Sequence, residues 1–226
     1  DEHRTATGDA LLPGAAYLEL VRAALAEAGE DGPFEISDLV LLAPLPAPDG
    51  VDTDVRATLT RSGSGYAFEV LTALPAAAHE TTEAGGGAGS EPSARAWFRT
   101  AQAQILLRPP SATGPIDLAA AIASCPQRAN PRTRQHDHLL LGPRWNVARR
   151  VHTGTGRAVA ELELPPEFAT DLEQTVLHPA LFDIGLCFAI ECVEGYTGDR
   201  LWVPLSIQSV VVHQPFDDEP GPPRAV

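Results

Sequence analysis

Apolar positions along residues 13–28 recur at helical spacing, with Tyr17, Leu18, Val21, Ala24, Leu25 and Ala28 on one face. Pro13 suits the first helical turn and Gly29 the stop. Residues 35–45 read as a strand. Over residues 51–61 apolar and polar positions alternate, and Val51, Thr53, Val55, Ala57 and Leu59 face one way. A Ser62-Gly63-Ser64-Gly65 turn sends the chain back along a strand at 66–74. Residues 75–93, rich in Ala, Gly and Glu, are expected to form a mobile surface loop. Alternation resumes over 94–107 through Ala101, Ala103, Ile105 and Leu107.

Breaker-rich residues 109–135, with a short helix over 116–124, read as a connection between an N-terminal half, 1–108, and a C-terminal half, 136–226. In the second half, strands are predicted over 144–152 and 157–164, around a Thr153-Gly154-Thr155-Gly156 turn, and again over 201–213. Between them lies a helix over 178–193 that is apolar on nearly every side, through Leu181, Phe182, Ile184, Leu186, Phe188 and Ile190. Such a helix is normally buried all round. Each half therefore has one proline-led apolar helix and several alternating strands. An antiparallel sheet wrapped around a central helix satisfies both patterns and places the chain in the α+β class. Two such units side by side would form one continuous sheet.

Hydrophobic residues make up 44% of the 226, enough to bury a sizeable core and to exclude wholesale disorder. A net charge of −14 disfavours nucleic acid and anionic membrane as partners. Lys does not occur, which excludes a Schiff-base lysine and a P-loop lysine. Cys125, Cys187 and Cys192 make neither a disulfide framework nor a paired metal motif, so a reducing cytoplasm is the expected location. No apolar run approaches the roughly 20 residues that span a bilayer. A charged start without Met and a Pro-rich finish read as a segment of something longer, incomplete at both ends.

Two side chains stand out chemically. His3 precedes a glycine-containing turn just ahead of a helix start, where unpaired N–H groups can polarise a carbonyl while the imidazole removes a proton. The bland alternative is a terminal surface histidine. Asp183 lies within the very apolar helix, and its helical neighbours Pro179, Ala180, Leu186 and Cys187 carry no charge. Desolvation there favours a neutral carboxyl able to donate a proton; the alternative is a solvent-facing aspartate at a helix start. His178 and Pro179 position the entry of that helix, His178 as a structural group rather than a catalytic one. Cys187 and Cys192 read as core packing. His136-Asp137-His138 lacks further ligands, so no metal is expected. Six arginines (128, 132, 134, 144, 149 and 150) share a stretch with one acid, Asp137. They form either a solvated face or a docking surface for an acidic partner, with Arg144, Arg149 and Arg150 as its candidates.

Several segments together resemble the dehydratase domains of modular polyketide synthases. His3…Gly8…Pro13-Gly14 is similar to the opening histidine motif. Leu141-Gly142-Pro143-Arg144-Trp145 resembles the central Gly-Pro motif, and His178-Pro179-Ala180-Leu181-Phe182-Asp183 the His-Pro-x-x-x-Asp motif. Leu201-Trp202-Val203-Pro204-Leu205-Ser206 looks like the strand that follows. The resemblance implies a double hot-dog fold, His3 as base and Asp183 as acid. It also implies positioning roles for Gly8, Pro13, Gly14, Leu141, Gly142, Pro143, His178, Pro179 and Cys187. The implied substrate is a 3-hydroxyacyl group on the phosphopantetheine arm of an acyl carrier protein, with no metal, nicotinamide or flavin. Neighbouring synthase domains and a second copy of the chain are the other implied partners. Three departures stand out: Thr7 where the family's glycine usually stands, Leu141 for an aromatic, and Cys187 for a Gln or His one turn after the aspartate. They keep two other readings open: a double-bond isomerase or cyclase of the same fold, and a degenerate docking module.

Overall fold

A computed structural model describes residues 2–73, 96–108 and 116–213; the expected loop at 75–93 lies outside them. In chain order the elements are β1 (His3–Thr5), α1 (Ala16–Glu27), β2 (Phe34–Leu41), β3 (Val55–Ser62), β4 (Gly65–Ala73), β5 (Trp97–Leu107), α2 (Leu118–Ala123), β6 (Gln127–Ala129), β7 (Leu139–Leu141), β8 (Ala148–Gly154), β9 (Arg157–Leu162), α3 (Pro179–Cys187) and β10 (Ser206–Val212).

The predicted apolar stripe of the first helix is the inner face of α1. Tyr17, Leu18, Val21 and Leu25 are buried against Phe34, Ile36 and Leu39 of β2, Phe68 and Val70 of β4, and Ala101, Ala103 and Ile105 of β5. α1 stops where expected, because Glu30 N donates to Leu25 O and Gly29 N to Ala26 O, which satisfies its last carbonyls. The antiparallel sheet around it runs β10-β2-β5-β4-β3. β3 is the outer strand and begins only at Val55; of its expected inward set, Leu59 alone packs on the core, and Val51 is exposed.

In the second half β6, β8 and β9 form a three-stranded antiparallel sheet. β6 lies within the stretch read as a connection, yet it pairs with β8. α3 packs its Ala180 and Ile184 with Val147 and Leu164. It is shorter than expected, ending at Cys187, with a 3₁₀ turn at Ile190–Cys192. Nor is it buried all round: Leu186 is 51% exposed, because three short strands cover one side of the helix only. Cys192, on the 3₁₀ turn, is exposed rather than packed in a core.

The single continuous sheet of the sequence reading is divided, among the described residues, into sheets of five, three and two strands. The reason is where β10 goes. Its Ile207, Val210 and Val212 pack on the first core, so it pairs with β2, and Ser209 Oγ donates to Glu35 there at 2.7 Å. Residues 201–205, expected as part of this strand, are not regular strand, although Leu205 O still accepts from Leu41 N. Residues 143–145 form a 3₁₀ turn rather than the start of β8.

The halves also meet at α1 and α3. Leu177 is buried in the first core, and its N–H donates to the Glu19 carboxylate of α1 at 2.7 Å. Leu18→Ala, which empties a fully buried site, is expected to lower stability by about 2–5 kcal/mol, read from the midpoint of denaturant unfolding. A change below about 0.5 kcal/mol, typical of surface sites, would show that α1 is not the centre of the core.

Candidate active site

Residues from the start and the middle of the chain meet through the β1–β7 ladder, which sets His3 opposite Leu141 and Thr5 opposite Leu139. Leu141 packs on the second core and leads into the 3₁₀ turn Pro143–Trp145. Gly142 makes the join possible. Its N–H donates to Glu2 O at 2.7 Å, and a Cβ on it would stand 2.5 Å from Glu2 Cγ, closer than packed atoms allow. Pro143 supplies the turn's first residue, where its missing N–H costs nothing.

After β1 the chain reverses through Gly8, whose φ of +94° suits only glycine; its carbonyl accepts from Arg4 at 2.9 Å. The turn returns Leu11 to His3, and Leu11 O lies 3.2 Å from His3 Nδ1. A carbonyl can only accept, so Nδ1 carries the proton and Nε2 presents a lone pair. Buried Pro13 and half-buried Gly14 then lead into α1. The N–H groups of Ala16, Tyr17 and Leu18 bond to the carbonyls of Pro13, Gly14 and Ala15. That tight first turn takes the donors expected to polarise a substrate carbonyl.

Asp183 lies in α3, which His178 anchors. Buried His178 accepts the N–H of Ala180 on Nδ1 at 3.2 Å, capping the helix, with Pro179 as its first residue. His3 Nε2 lies 3.8 Å from Asp183 Oδ2, with the two side chains 15% and 20% exposed. The pair is thus shielded yet reachable. Burial pushes the Asp183 carboxyl above its usual range, against the opposing pull of His3, the Trp145 indole and His136. Trp145 Nε1 donates to Asp183 Oδ2 at 2.9 Å, and its ring lies 5.7 Å from the His3 ring between centroids. One turn on, burial and the Asp183 carboxylate push the Cys187 thiol up to about 12.

Around this pair runs an ionic network that local sequence does not reveal. Arg144 forms an ion pair with Glu2, and its backbone N–H donates to the same carboxylate at 2.9 Å. Its Nε donates to Asp171 Oδ2 at 2.7 Å, and that oxygen lies 3.5 Å from His178 Nε2. Arg144 holds the Asp171 carboxyl below the usual carboxylate range. Arg144 is therefore engaged inside the fold rather than offered for docking. Arg149 pairs with Glu163 at 3.2 Å and Arg150 with Glu161 at 2.6 Å, so the other two docking candidates are also neutralised by the chain's own acids. The basic stretch looked unopposed because its partners, Glu2 before β1 and acids on β9 and beyond, are distant in sequence.

Trp145, Glu2, Asp171 and Glu19 escaped the sequence reading as site residues. Trp145 stood inside a recognised motif but carried no ionisable group. Glu19 had a signal: an acid flanked by Leu18 and Leu20 at the start of an apolar helix. Glu2 and Asp171 had none, because their partner is distant in sequence. His136 and His138 bond to Thr133 and to the Gly198 carbonyl, and among the described residues no group of three His, Cys, Asp or Glu side chains is arranged to hold a metal ion. A surface hollow lined by residues 47–53 contains none of the site residues. No described helix is long and apolar enough to cross a membrane.

The family model described as polyketide synthase dehydratase domain matches residues 1–73. The one described as polyketide synthase dehydratase N-terminal domain matches residues 113–225. Among curated proteins the chain is 26% identical over 223 residues to polyketide synthase PksN of Bacillus subtilis, and 28% identical over 226 residues to polyketide synthase ThaG of Burkholderia thailandensis. These alignments cover 92% and 94% of the chain but only 4% of each relative. Among solved structures, the dehydratase domain from the CurF module of curacin polyketide synthase superposes with a TM-score of 0.78 at 21% identity, covering 95% of this chain and 72% of that one. A trans-AT polyketide synthase dehydratase domain from Brevibacillus brevis gives 0.75 at 21% identity, covering 94% and 71%. The fold is the double hot-dog of these neighbours.

The raised Asp183 carboxyl has a consequence for stability. Between the unfolded value, about 3.9, and the higher folded one, the folded chain holds an extra proton. Stability contributed by this group therefore falls as pH rises through that window. Asp183→Asn removes the titration and is expected to gain stability relative to the parent as pH rises. Thermal unfolding from about pH 4 to about pH 8 measures this, and a difference that does not change with pH would contradict a desolvated carboxyl.

Proposed function

The chain belongs to the dehydratase domains of polyketide synthases, and on that footing we propose that it eliminates water from a 3-hydroxyacyl thioester to give an enoyl thioester. Such domains are in general hydro-lyases. The reading rests on one observation. A histidine whose Nδ1 is bonded to a carbonyl and a carboxyl that burial pushes above its usual range lie 3.8 Å apart, though 180 positions separate them in sequence.

The proton to be removed and the hydroxyl to be expelled sit on adjacent carbons. A base and an acid side by side serve both from one face of the acyl chain. His3 Nε2 takes the α-proton, that bond's electron pair forms the Cα=Cβ double bond, and the Cβ–O bond breaks. Asp183 gives its proton to the departing oxygen, which leaves as water. An imidazolium then faces a carboxylate, an ion pair that the close spacing stabilises until protons exchange and reset the site. General acid and general base each contribute typically 10²–10⁴-fold. Within the same reading the acyl group arrives on the phosphopantetheine arm of an acyl carrier protein, and the chain works as a homodimer among other synthase domains.

The direct test follows water loss from a 3-hydroxyacyl pantetheine thioester by mass spectrometry. His3→Ala and Asp183→Asn are each expected to slow it by about 10²–10⁴-fold. Wild-type rates in both variants would refute the assignment. Migration of an existing double bond without any water loss would point to an isomerase instead.

A further inference from the structure

We propose that Trp145 is the positioning residue that holds the Asp183 carboxyl and sets which of its oxygens carries the transferable proton. Its consequence for catalysis rests on the elimination reading; the contact itself does not.

Among the described residues the Trp145 indole is the one donor that hydrogen-bonds the carboxyl, to Oδ2 at 2.9 Å. An indole N–H can only donate. The oxygen it meets is therefore the accepting one, and the proton resides on Oδ1. His3 Nε2, 3.8 Å from Oδ2, is beyond hydrogen-bond reach and does not draw the proton to that oxygen. The helical turn after Asp183 offers Cys187, a weak donor whose thiol stays protonated. Nothing on α3 can take over the task. Trp145 suits it because its own placement is over-determined. The 3₁₀ turn holds its backbone, with Trp145 N donating to Gly142 O at 3.0 Å, and Arg144 beside it is tied to both Glu2 and Asp171. The side chain packs on the second core and against the His3 ring. One rigid ring thus orients the acid and flanks the base.

The chain contains three tryptophans, so its indole N–H resonances are readily resolved by ¹⁵N–¹H NMR, with Trp145→Phe identifying the relevant one. The Trp145 resonance is expected to shift as Asp183 titrates and to stop responding to pH in Asp183→Asn. A resonance unmoved by pH and by Asp183→Asn overturns the proposal, whatever the activity. In the elimination assay, Trp145→Phe keeps the ring but loses the donor. Its kcat should fall about tenfold to a hundredfold with KM little changed. The basic limb of its kcat profile, which reports loss of the acid's proton, should move to higher pH, because a hydrogen bond favouring the charged form has gone. Adding Cys187→Gln, which brings a carboxamide N–H from the next turn, should restore part of the rate. A Trp145→Phe enzyme with wild-type kcat and an unmoved basic limb, while His3→Ala is inactive, refutes the positioning role alone. Wild-type rates in His3→Ala and Asp183→Asn would refute the elimination reading and leave the NMR result to decide the contact.

Discussion

The register of the β1–β7 ladder is the constraint on which the site depends. Side chains alternate along a strand, so a slip of one residue would turn His3 to the opposite face and away from Asp183. Three residue pairs are too few to hold a register through their own hydrogen bonds. The register is held instead by what flanks it: the Gly142–Glu2 backbone bond, the close approach that only glycine permits, and the Glu2–Arg144 ion pair. Arg144 grips Asp171 with the same guanidinium, and Asp171 backs the histidine that caps α3. A single cation therefore references the strand of His3, the turn carrying Trp145 and the helix of Asp183 to one point.

The same logic joins the halves elsewhere. β10, encoded late in the chain, completes the sheet of the first half, and Leu177 enters the first core while its N–H meets Glu19. Glu19 is nearly buried, and leaving such a carboxylate without its donors would be costly. Its two oxygens are used by Arg22 and by Leu177, so the acid on the inner helix acts as a spacer between the two units. The two units are thus interlocked rather than merely abutted.

Legibility from the sequence followed the range of the interactions involved. α1 and strands β2, β4 and β5 were readable because their periodicity is a local record of a nearby core, with Leu18, Leu25 and Ile105 pointing where the pattern said. Asp183 was readable because its uncharged helical neighbours announced desolvation. The second half was less clear. Apolarity on all sides of α3 promised full burial, but coverage depends on how many strands surround it, which helical composition does not encode. The divided sheet was invisible for a related reason, since partner choice for β10 is set by a core formed by other segments. Charge counting did not reveal the partners of Arg144, Arg149 and Arg150, because ion pairs form across space while composition is counted along the chain. Trp145 was in plain sight as part of a motif; only geometry showed what its nitrogen does.

Cys187 carries a consequence for durability. The enoyl thioester proposed as product is an electrophile at its β-carbon, and a nucleophilic sulfur one helical turn from Asp183 would add to it and block the site. Thiolate, not thiol, is the attacking species. With its thiol pushed to about 12, roughly one molecule in 10⁵ is ionised there at neutral pH. The same burial that raises the Asp183 carboxyl thus protects the sulfur beside it from self-alkylation by the product.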